Sequence, residues 1–345
     1  MASKFYDATK ILSLKDIDGN KPEIYISTSN RSAGKTTFFN RYCVKRFKLY
    51  GEKFMIMYRF NYELDDCADK FFKEIKNLFF QTDNMRSEKR SMGMYHELFL
   101  NDEPCGYAIA LNNADQIKKN SHYFSDVKRI LFDEFQSETN HYCPNEVKKF
   151  QSVHTSVARG DGKQVRYVPV IMISNPISMI NPYYIAMGIS SRLDNKTKYL
   201  RGKGYVLEQG YVESASKAQA ESGFNKAFAN DQYQAYNAQG VYLNDNLSFI
   251  EKMEGRSRYL VTLRYEGKDY AIREFAEKGI VYCDNHVDYT FPYKIAISTD
   301  DHSVNYVMLR KNDFFLSNLK ELFQLGSFRF KDLKCKEAVL ASICY

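Results

Sequence analysis

The sequence has no tryptophan, so its 15% aromatic content rests on 27 Tyr and 25 Phe. It has no apolar run approaching the ~20 residues that a membrane-spanning helix needs. Met1-Ala2-Ser3-Lys4-Phe5-Tyr6 carries no apolar signal core. No Cys-x-x-Cys pair occurs among the seven scattered cysteines (Cys43, Cys67, Cys105, Cys143, Cys283, Cys335, Cys344). An odd, scattered set argues against a zinc site and against a disulfide framework. There is no internal repeat and no low-complexity tract. Charge is not lopsided either: 49 basic against 42 acidic residues leave a net +7, which permits a polyanionic partner without requiring one. These absences leave a soluble protein of a reducing compartment, with no membrane partner, as the expectation. What is present is 345 residues, 44% of them hydrophobic, enough for two domains each with its own core.

The most informative stretch is Ser29-Asn30-Arg31-Ser32-Ala33-Gly34-Lys35-Thr36. The alternating run from Glu23 to Thr28 before it reads as a strand, and Thr37-Phe38-Phe39-Asn40-Arg41-Tyr42 after it opens a helix. Strand, loop with Gly-Lys-Thr, then helix is the context in which backbone N–H groups and a helix N-terminus cradle phosphate. Residues 29–37 are the predicted ATP-binding set, with Lys35 reaching the β- and γ-phosphates and Thr36 ligating Mg²⁺. The pattern asks for Gly where this chain has Ser29, and a lysine at an ordinary helix start is the plain alternative.

Phe54-Met55-Ile56-Met57-Tyr58 is a continuous apolar run, the mark of a buried parallel strand. Arg59-Phe60-Asn61-Tyr62 leaves it at the carboxyl end, where α/β sheets place their ligands. A helix is predicted from Glu63 to about Phe80, and Tyr95–Leu100 with Gly106–Leu111 reads as a hairpin around Asn101-Asp102-Glu103-Pro104. Arg129-Ile130-Leu131-Phe132-Asp133-Glu134 is then a strand ending in two acids. With the phosphate loop upstream, that is the second half of a P-loop ATPase: Asp133 holding Mg²⁺ through water, Glu134 polarising the attacking water. Glu directly after Asp favours ATPases that insert an additional strand between the two motifs. A helix from Asn145 to about Ala158 ends at Arg159-Gly160-Asp161-Gly162. Val168–Asn175 is another buried strand. Asn175 at its tip either senses the γ-phosphate and orients the water, or is a turn residue before Pro176. Tyr205-Val206-Leu207 adds a final strand.

From Glu213 to about Tyr236 the chain turns polar and helix-favouring, a helical linker. Tyr259–Arg264 and Tyr270–Phe275 flank Glu266-Gly267-Lys268-Asp269, a hairpin signal. Gly279–Cys283 and Tyr293–Ile297 supply two further strands, and helices over Asp313–Leu325 and Lys331–Ile343 close the chain. The predicted domains are 1–210, an additional-strand P-loop ATPase; 211–245, the linker; and 246–345, a small α+β domain.

The phosphate loop, Phe132-Asp133-Glu134-Phe135 with Pro144-Asn145-Glu146-Val147, and Ile173-Ser174-Asn175 running into Ile180-Asn181-Pro182-Tyr183-Tyr184 together carry a resemblance. Ser298-Thr299-Asp300-Asp301 and Phe328-Arg329-Phe330 extend it over nearly the whole chain. The sequence resembles the genome-packaging ATPases of small protein-primed tailed phages (phi-twenty-nine-like podoviruses). The resemblance implies a ring, a pentamer, that drives double-stranded DNA into a preformed capsid. It places the protein in the host cytoplasm and transiently at the capsid portal, in contact with a packaging RNA. Arg159 matches the family's arginine finger, acting on the neighbouring subunit's ATP, and Lys119 a second trans-acting basic residue. Arg59 and Asn61 fall where relatives carry basic residues near the DNA pore; Asn61 stands where Lys is expected. The last domain resembles an RNase H-like nuclease that has lost its acids: the strand Tyr259–Arg264 carries none, though such chemistry needs several carboxylates around two metal ions. Arg310, Lys311, Lys320, Arg329, Lys331, Lys334 and Lys336 suit a nucleic-acid backbone or simply form a solvated face. The competing functions are a terminase whose nuclease still cuts and an NTP-binding regulator that is not a motor.

Overall fold

A computed structural model describes residues 5–139, 141–160, 162–179, 181–189, 192–193, 197–227, 249–309 and 313–343. The chain divides into two compact units, residues 1–244 and 245–345. None of the described helices is long and apolar enough to cross a membrane.

The first unit is built on strands that the sequence makes apolar from end to end. β1 (Ile24–Thr28), β2 (Lys53–Tyr58), β6 (Val127–Asp133), β7 (Val170–Ser174) and β9 (Tyr205–Gln209) are buried over most of their length, as strands covered on both faces must be. They join β5 (Glu103–Ala110) in a parallel ladder, β5-β2-β6-β7-β1-β9. β3 (Met85–Arg90) and β4 (Tyr95–Leu100) extend one edge and β8 (Tyr199–Gly202) the other, all antiparallel to their neighbours, giving nine strands. β7 lies between β1 and β6. That is the additional strand expected between the phosphate loop and the Asp133-Glu134 strand, and the register sets Thr28 beside Ser174 and Asp133 beside Ile173. The carboxyl ends of these strands therefore finish level.

Between the strands run α1 (Thr9–Ser13), α2 (Lys35–Tyr50), α3 (Cys67–Phe79), α4 (Ala114–Lys119), α5 (Glu146–Val157) and α6 (Pro182–Ala186). α3 buries Cys67, Ala68, Phe71, Phe72 and Ile75, a helical stripe, and stacks Phe71 on Phe54 at 5.2 Å. The expected helix from Glu63 is in fact a 3₁₀ turn at Asn61–Leu64 followed by α3. The hairpin is there, but its second strand also joins β2 in parallel, and β3 was not anticipated because Met85-Arg86-Ser87-Glu88-Lys89-Arg90 is almost wholly polar. α7 (Glu213–Glu221) and α8 (Gly223–Ala227) occupy the start of the expected linker, yet Val212 and Ala215 belong to the core of the first unit. Linker residues 228–245 lie outside the described residues.

The second unit is a sheet in the order β14-β13-β10-β11-β12-β15. β10 (Arg258–Tyr265), β11 (Lys268–Phe275) and β12 (Ile280–Asp284) form an antiparallel meander, with β13 (Lys294–Ala296) parallel to β10 and β14 (Val307–Met308) parallel to β13. β15 (Phe328–Phe330) runs parallel to β12, between α9 (Phe314–Gln324) and α10 (Leu333–Ile343). Val261, Leu263, Ile272, Cys283, Phe328, Phe330, Cys335 and Val339 make its core. Neither β14 nor β15 is long enough to leave a period in the sequence.

Candidate functional site

The loop at residues 29–36 bends through two left-handed residues, Ser32 (φ 61°) and Gly34 (φ 93°), and delivers Lys35 as the first residue of α2. Gly34 is required at that angle. Ser29 is not: its φ is not in the left-handed region, and the chain opposite is Gly210, where an added Cβ would lie 3.3 Å from the Ser29 Cβ. The glycine missing from the loop has its counterpart across the sheet. Asn30 is fully buried and exchanges hydrogen bonds with the Val212 backbone, its Nδ2 donating at 3.1 Å and its Oδ1 accepting at 2.9 Å, which ties the loop to the chain after β9. Gln219 of α7 donates to the Ser32 hydroxyl at 2.9 Å.

Lys35 is buried, and its ammonium donates to the Ser29 carbonyl at 3.0 Å and to Asn175 Oδ1 at 3.2 Å. Desolvation lowers its pKa to about 8, against the opposing pull of Asp133. Asn175, just past β7, is thus brought to the loop. Thr36 hydrogen-bonds the Asp133 carboxylate, whose pKa burial and the adjacent Glu134 push up to about 6. Glu134 is exposed, holds a left-handed backbone (φ 53°), and donates its N–H to Asp133 Oδ1 at 2.8 Å. A non-glycine residue held at that angle beside a cavity is strained, as residues at working sites often are. The cavity, about 320 Å³, is walled by Arg31, Glu134, Gln136, Glu138, Asn175 and Ile177 among others. Arg31 and Glu138 pair across its wall at 3.1 Å.

The donor set fits a magnesium ion. Thr36 and Asp133 offer two oxygens, and no group of three or more His, Cys, Asp or Glu among the described residues forms an all-protein cage. Mg²⁺ characteristically takes one or two protein oxygens and fills its octahedron with water and phosphate. A half-buried carboxylate with a raised pKa beside a second acid is also a place where a cation is favoured. The Thr37 hydroxyl, next along α2, donates to Glu74 of α3 at 2.7 Å.

Arg59 requires a correction. Its guanidinium is not available to DNA: the side chain is 8% exposed and ion-paired at 2.9 Å with the fully buried Glu146. It also donates to the Phe135 carbonyl at 2.8 Å and the Glu134 carbonyl at 3.3 Å. Glu146 further accepts from Tyr183 at 2.7 Å and from the Cys143 N–H at 2.7 Å. The stretches around Glu146 and Tyr183 that carry the resemblance thus meet in one buried network under the Glu134 turn. The expectation of a DNA contact came from the resemblance and from the strand-end position; the carboxylate that buries the side chain lies 87 residues away in sequence. Asn61, by contrast, is exposed and accepts from Asn113 at 2.7 Å.

Arg159 and Lys119 stand outside the cavity wall. Each is exposed at the end of its helix, α5 and α4 respectively, and the Arg159 guanidinium has no partner among the described residues. Gln136 and Ser174, which no motif singled out for a role, do line the cavity.

An α/β sheet whose level parallel strand ends gather a buried lysine, a hydroxyl, two acids and an amide, the amide and one acid lining a cavity, defines a nucleotide-binding class of protein. The chain belongs to the Podovirus DNA encapsidation protein (Gp16) family, whose sequence model it matches over residues 1–342. It is 23% identical to the DNA packaging protein of Bacillus phage phi29 over 337 residues, 95% of this chain and 93% of that one. It is 24% identical to the DNA packaging protein of Bacillus phage B103 over 306 residues, 87% and 90% of the two chains. Its fold matches a chain of the bacteriophage Phi-29 viral genome packaging motor assembly with a TM-score of 0.68 at 22% identity, covering 96% of this chain and 95% of that one. It also matches the Phi-28 gp11 DNA packaging motor, with a TM-score of 0.61 at 16% identity over 99% of each chain.

Proposed function

We propose that this DNA packaging protein hydrolyses ATP in the cavity between residues 29–36 and Glu134, and that hydrolysis drives double-stranded DNA into a preformed capsid. The observation that carries the reading is the convergence of Lys35, Thr36, Asp133, Glu134 and Asn175 at one end of the sheet in a chain of this family. Backbone N–H groups of the loop and the N-terminus of α2 receive the phosphates, and Lys35 supplies positive charge at β and γ. Mg²⁺, when bound, neutralises phosphate charge from a position held by Thr36 and Asp133. Glu134 takes a proton from the attacking water as the oxygen–phosphorus bond forms and the bridging bond to ADP breaks.

Arg159 acts in trans, on ATP held by a neighbour, in a ring that is a pentamer; its exposure, its guanidinium without a partner among the described residues and its place outside its own cavity wall support that role, and Lys119 joins it. The named relatives include a packaging motor assembly, which supports contact with a capsid portal and a packaging RNA at the portal vertex. The second unit is a vestigial RNase H-like domain. Its meander with flanking parallel strands supports the topology, and β10 carries no acid. Asp301 is spent on structure: it accepts from the N–H groups of Glu266 (2.9 Å) and Gly267 (2.7 Å) and from the Ser298 hydroxyl (2.9 Å), pinning the β10–β11 turn.

ATP turnover with and without double-stranded DNA tests the reading. Lys35→Ala is expected to abolish nucleotide binding, and Glu134→Gln to bind ATP but turn over at least ~10²-fold more slowly, the scale of losing a general base. The same protein with Mn²⁺ should leave supercoiled plasmid uncut. Wild-type turnover by Glu134→Gln removes that residue from the reaction, and metal-dependent cutting lost in Asp301→Ala restores the nuclease.

A further inference from the structure

Two side chains in the wall of the cavity are buried with unmet hydrogen-bonding capacity. Gln136 is 2% exposed, and its Oε1 accepts from the N–H groups of Ile177 (3.2 Å) and Ser178 (2.9 Å). That pair of donors fixes the orientation of the carboxamide, because a flipped amide would set its NH₂ against two N–H groups. The Nε2 group is a buried donor without a partner among the described residues. Ser174 is 3% exposed, and its hydroxyl is equally without a partner. It is the last residue of β7, beside Thr28 in register and one residue before Asn175. An unmet buried donor costs roughly 1–3 kcal/mol. Native chains rarely carry two of them in one wall unless something else completes the bonds. The residues that share this wall include Glu134 and Asn175.

We infer that Gln136 and Ser174 complete the hydrolytic site: the Gln136 amide donates to the attacking water, and the Ser174 hydroxyl donates to an oxygen of the phosphoryl group under attack. The assignment rests on the reading of this cavity as the ATP site. Glu134 accepts the water's proton, the Gln136 N–H occupies one of the water's lone pairs, and the other lone pair attacks phosphorus. The electron pair of the broken bond leaves on ADP. A glutamine that positions water rather than deprotonating it is a known solution in nucleotide hydrolysis. Here the anchoring of its carbonyl on residues 177–178 gives the amide a fixed direction.

Two substitutions separate this role from a structural one. Gln136→Glu keeps an acceptor for both N–H groups and replaces the donor by a carboxyl group, whose added charge makes Ser174→Ala the cleaner test; Ser174→Ala removes a hydroxyl that bonds nothing among the described residues. Steady-state hydrolysis is measured with Mg²⁺-ATP, and thermal melting of the full chain with Mg²⁺-ADP, with and without aluminium fluoride as a mimic of the phosphoryl group in flight. Each variant is expected to lose roughly 10²-fold in kcat, the scale of one missing transition-state donor. Each should keep the melting shift given by ADP and lose the further shift given by aluminium fluoride. Ser174→Ala without ligand should melt at or above the wild type, and it decides the matter alone if Gln136→Glu does not fold. Wild-type kcat, or an intact fluoride shift, in Ser174→Ala overturns the inference. A wild-type protein that neither hydrolyses ATP nor is stabilised by Mg²⁺-ADP overturns instead the reading of the cavity on which it depends.

Discussion

Lys35 carries its charge in a buried loop, and its two hydrogen-bond acceptors, the Ser29 carbonyl and the Asn175 amide oxygen, are both neutral. A lysine kept there against desolvation is best explained by an anion that arrives later, which is why its loss is expected to fall on binding rather than on folding. Arg59 is the opposite case. Its charge is matched internally by Glu146, and removing one member of a buried pair strands the other, at a cost of about 3–5 kcal/mol. Arg59→Ala should therefore lower the melting temperature by several degrees and slow hydrolysis by loosening the Glu134 turn, while leaving the salt dependence of DNA binding unchanged. A stable Arg59→Ala protein whose DNA binding loses salt sensitivity would return this residue to the DNA.

The elements that the sequence reveals are those whose pattern is local. β2, β6 and β7 are apolar runs bounded by polar turns, the loop at 29–36 has its strand and helix on either side, and Asp133-Glu134 marks a strand end. The parallel order was readable as far as the strand inserted between β1 and β6. What stayed hidden depends on distant partners: the polar edge strand β3 is held by its ladder with β4, and the short β14 and β15 by neighbours already in place. Arg59 was misread for the same reason, and Gln136 and Ser174 show their state only when the whole wall is assembled. In α10, Glu337 is half-buried near Glu266, and burial followed by that carboxylate raises its pKa to about 7. A carboxyl group with a raised pKa in the folded state favours folding while protonated. Its contribution is present below the ordinary value near 4.5 and is lost as pH climbs through about 7. Glu337→Gln should then stabilise the protein at pH 8 and make little difference near pH 4.5, as followed by thermal melting. Equal melting shifts at both pH values would show that the carboxyl group does not titrate in this way.

For the whole molecule, the account requires subunits that complete one another's sites. Arg159→Ala should leave ATP affinity nearly unchanged and remove ring-stimulated hydrolysis by ~10³-fold or more, the scale for arginine fingers. Mixing in Glu134→Gln subunits, which hydrolyse far more slowly but retain Arg159, should restore part of that activity. No restoration in any mixture would make Arg159 a residue of its own helix end and nothing more. The central claim is that hydrolysis at this cavity moves DNA, and the direct measurement is nuclease-protected DNA inside matching empty capsids supplied with protein, double-stranded DNA and Mg²⁺-ATP. Wild-type protein should protect genome-length DNA, and Glu134→Gln, which still binds ATP, should protect none. Protection by Glu134→Gln equal to the wild type, or protection by the wild type without ATP, would contradict the account.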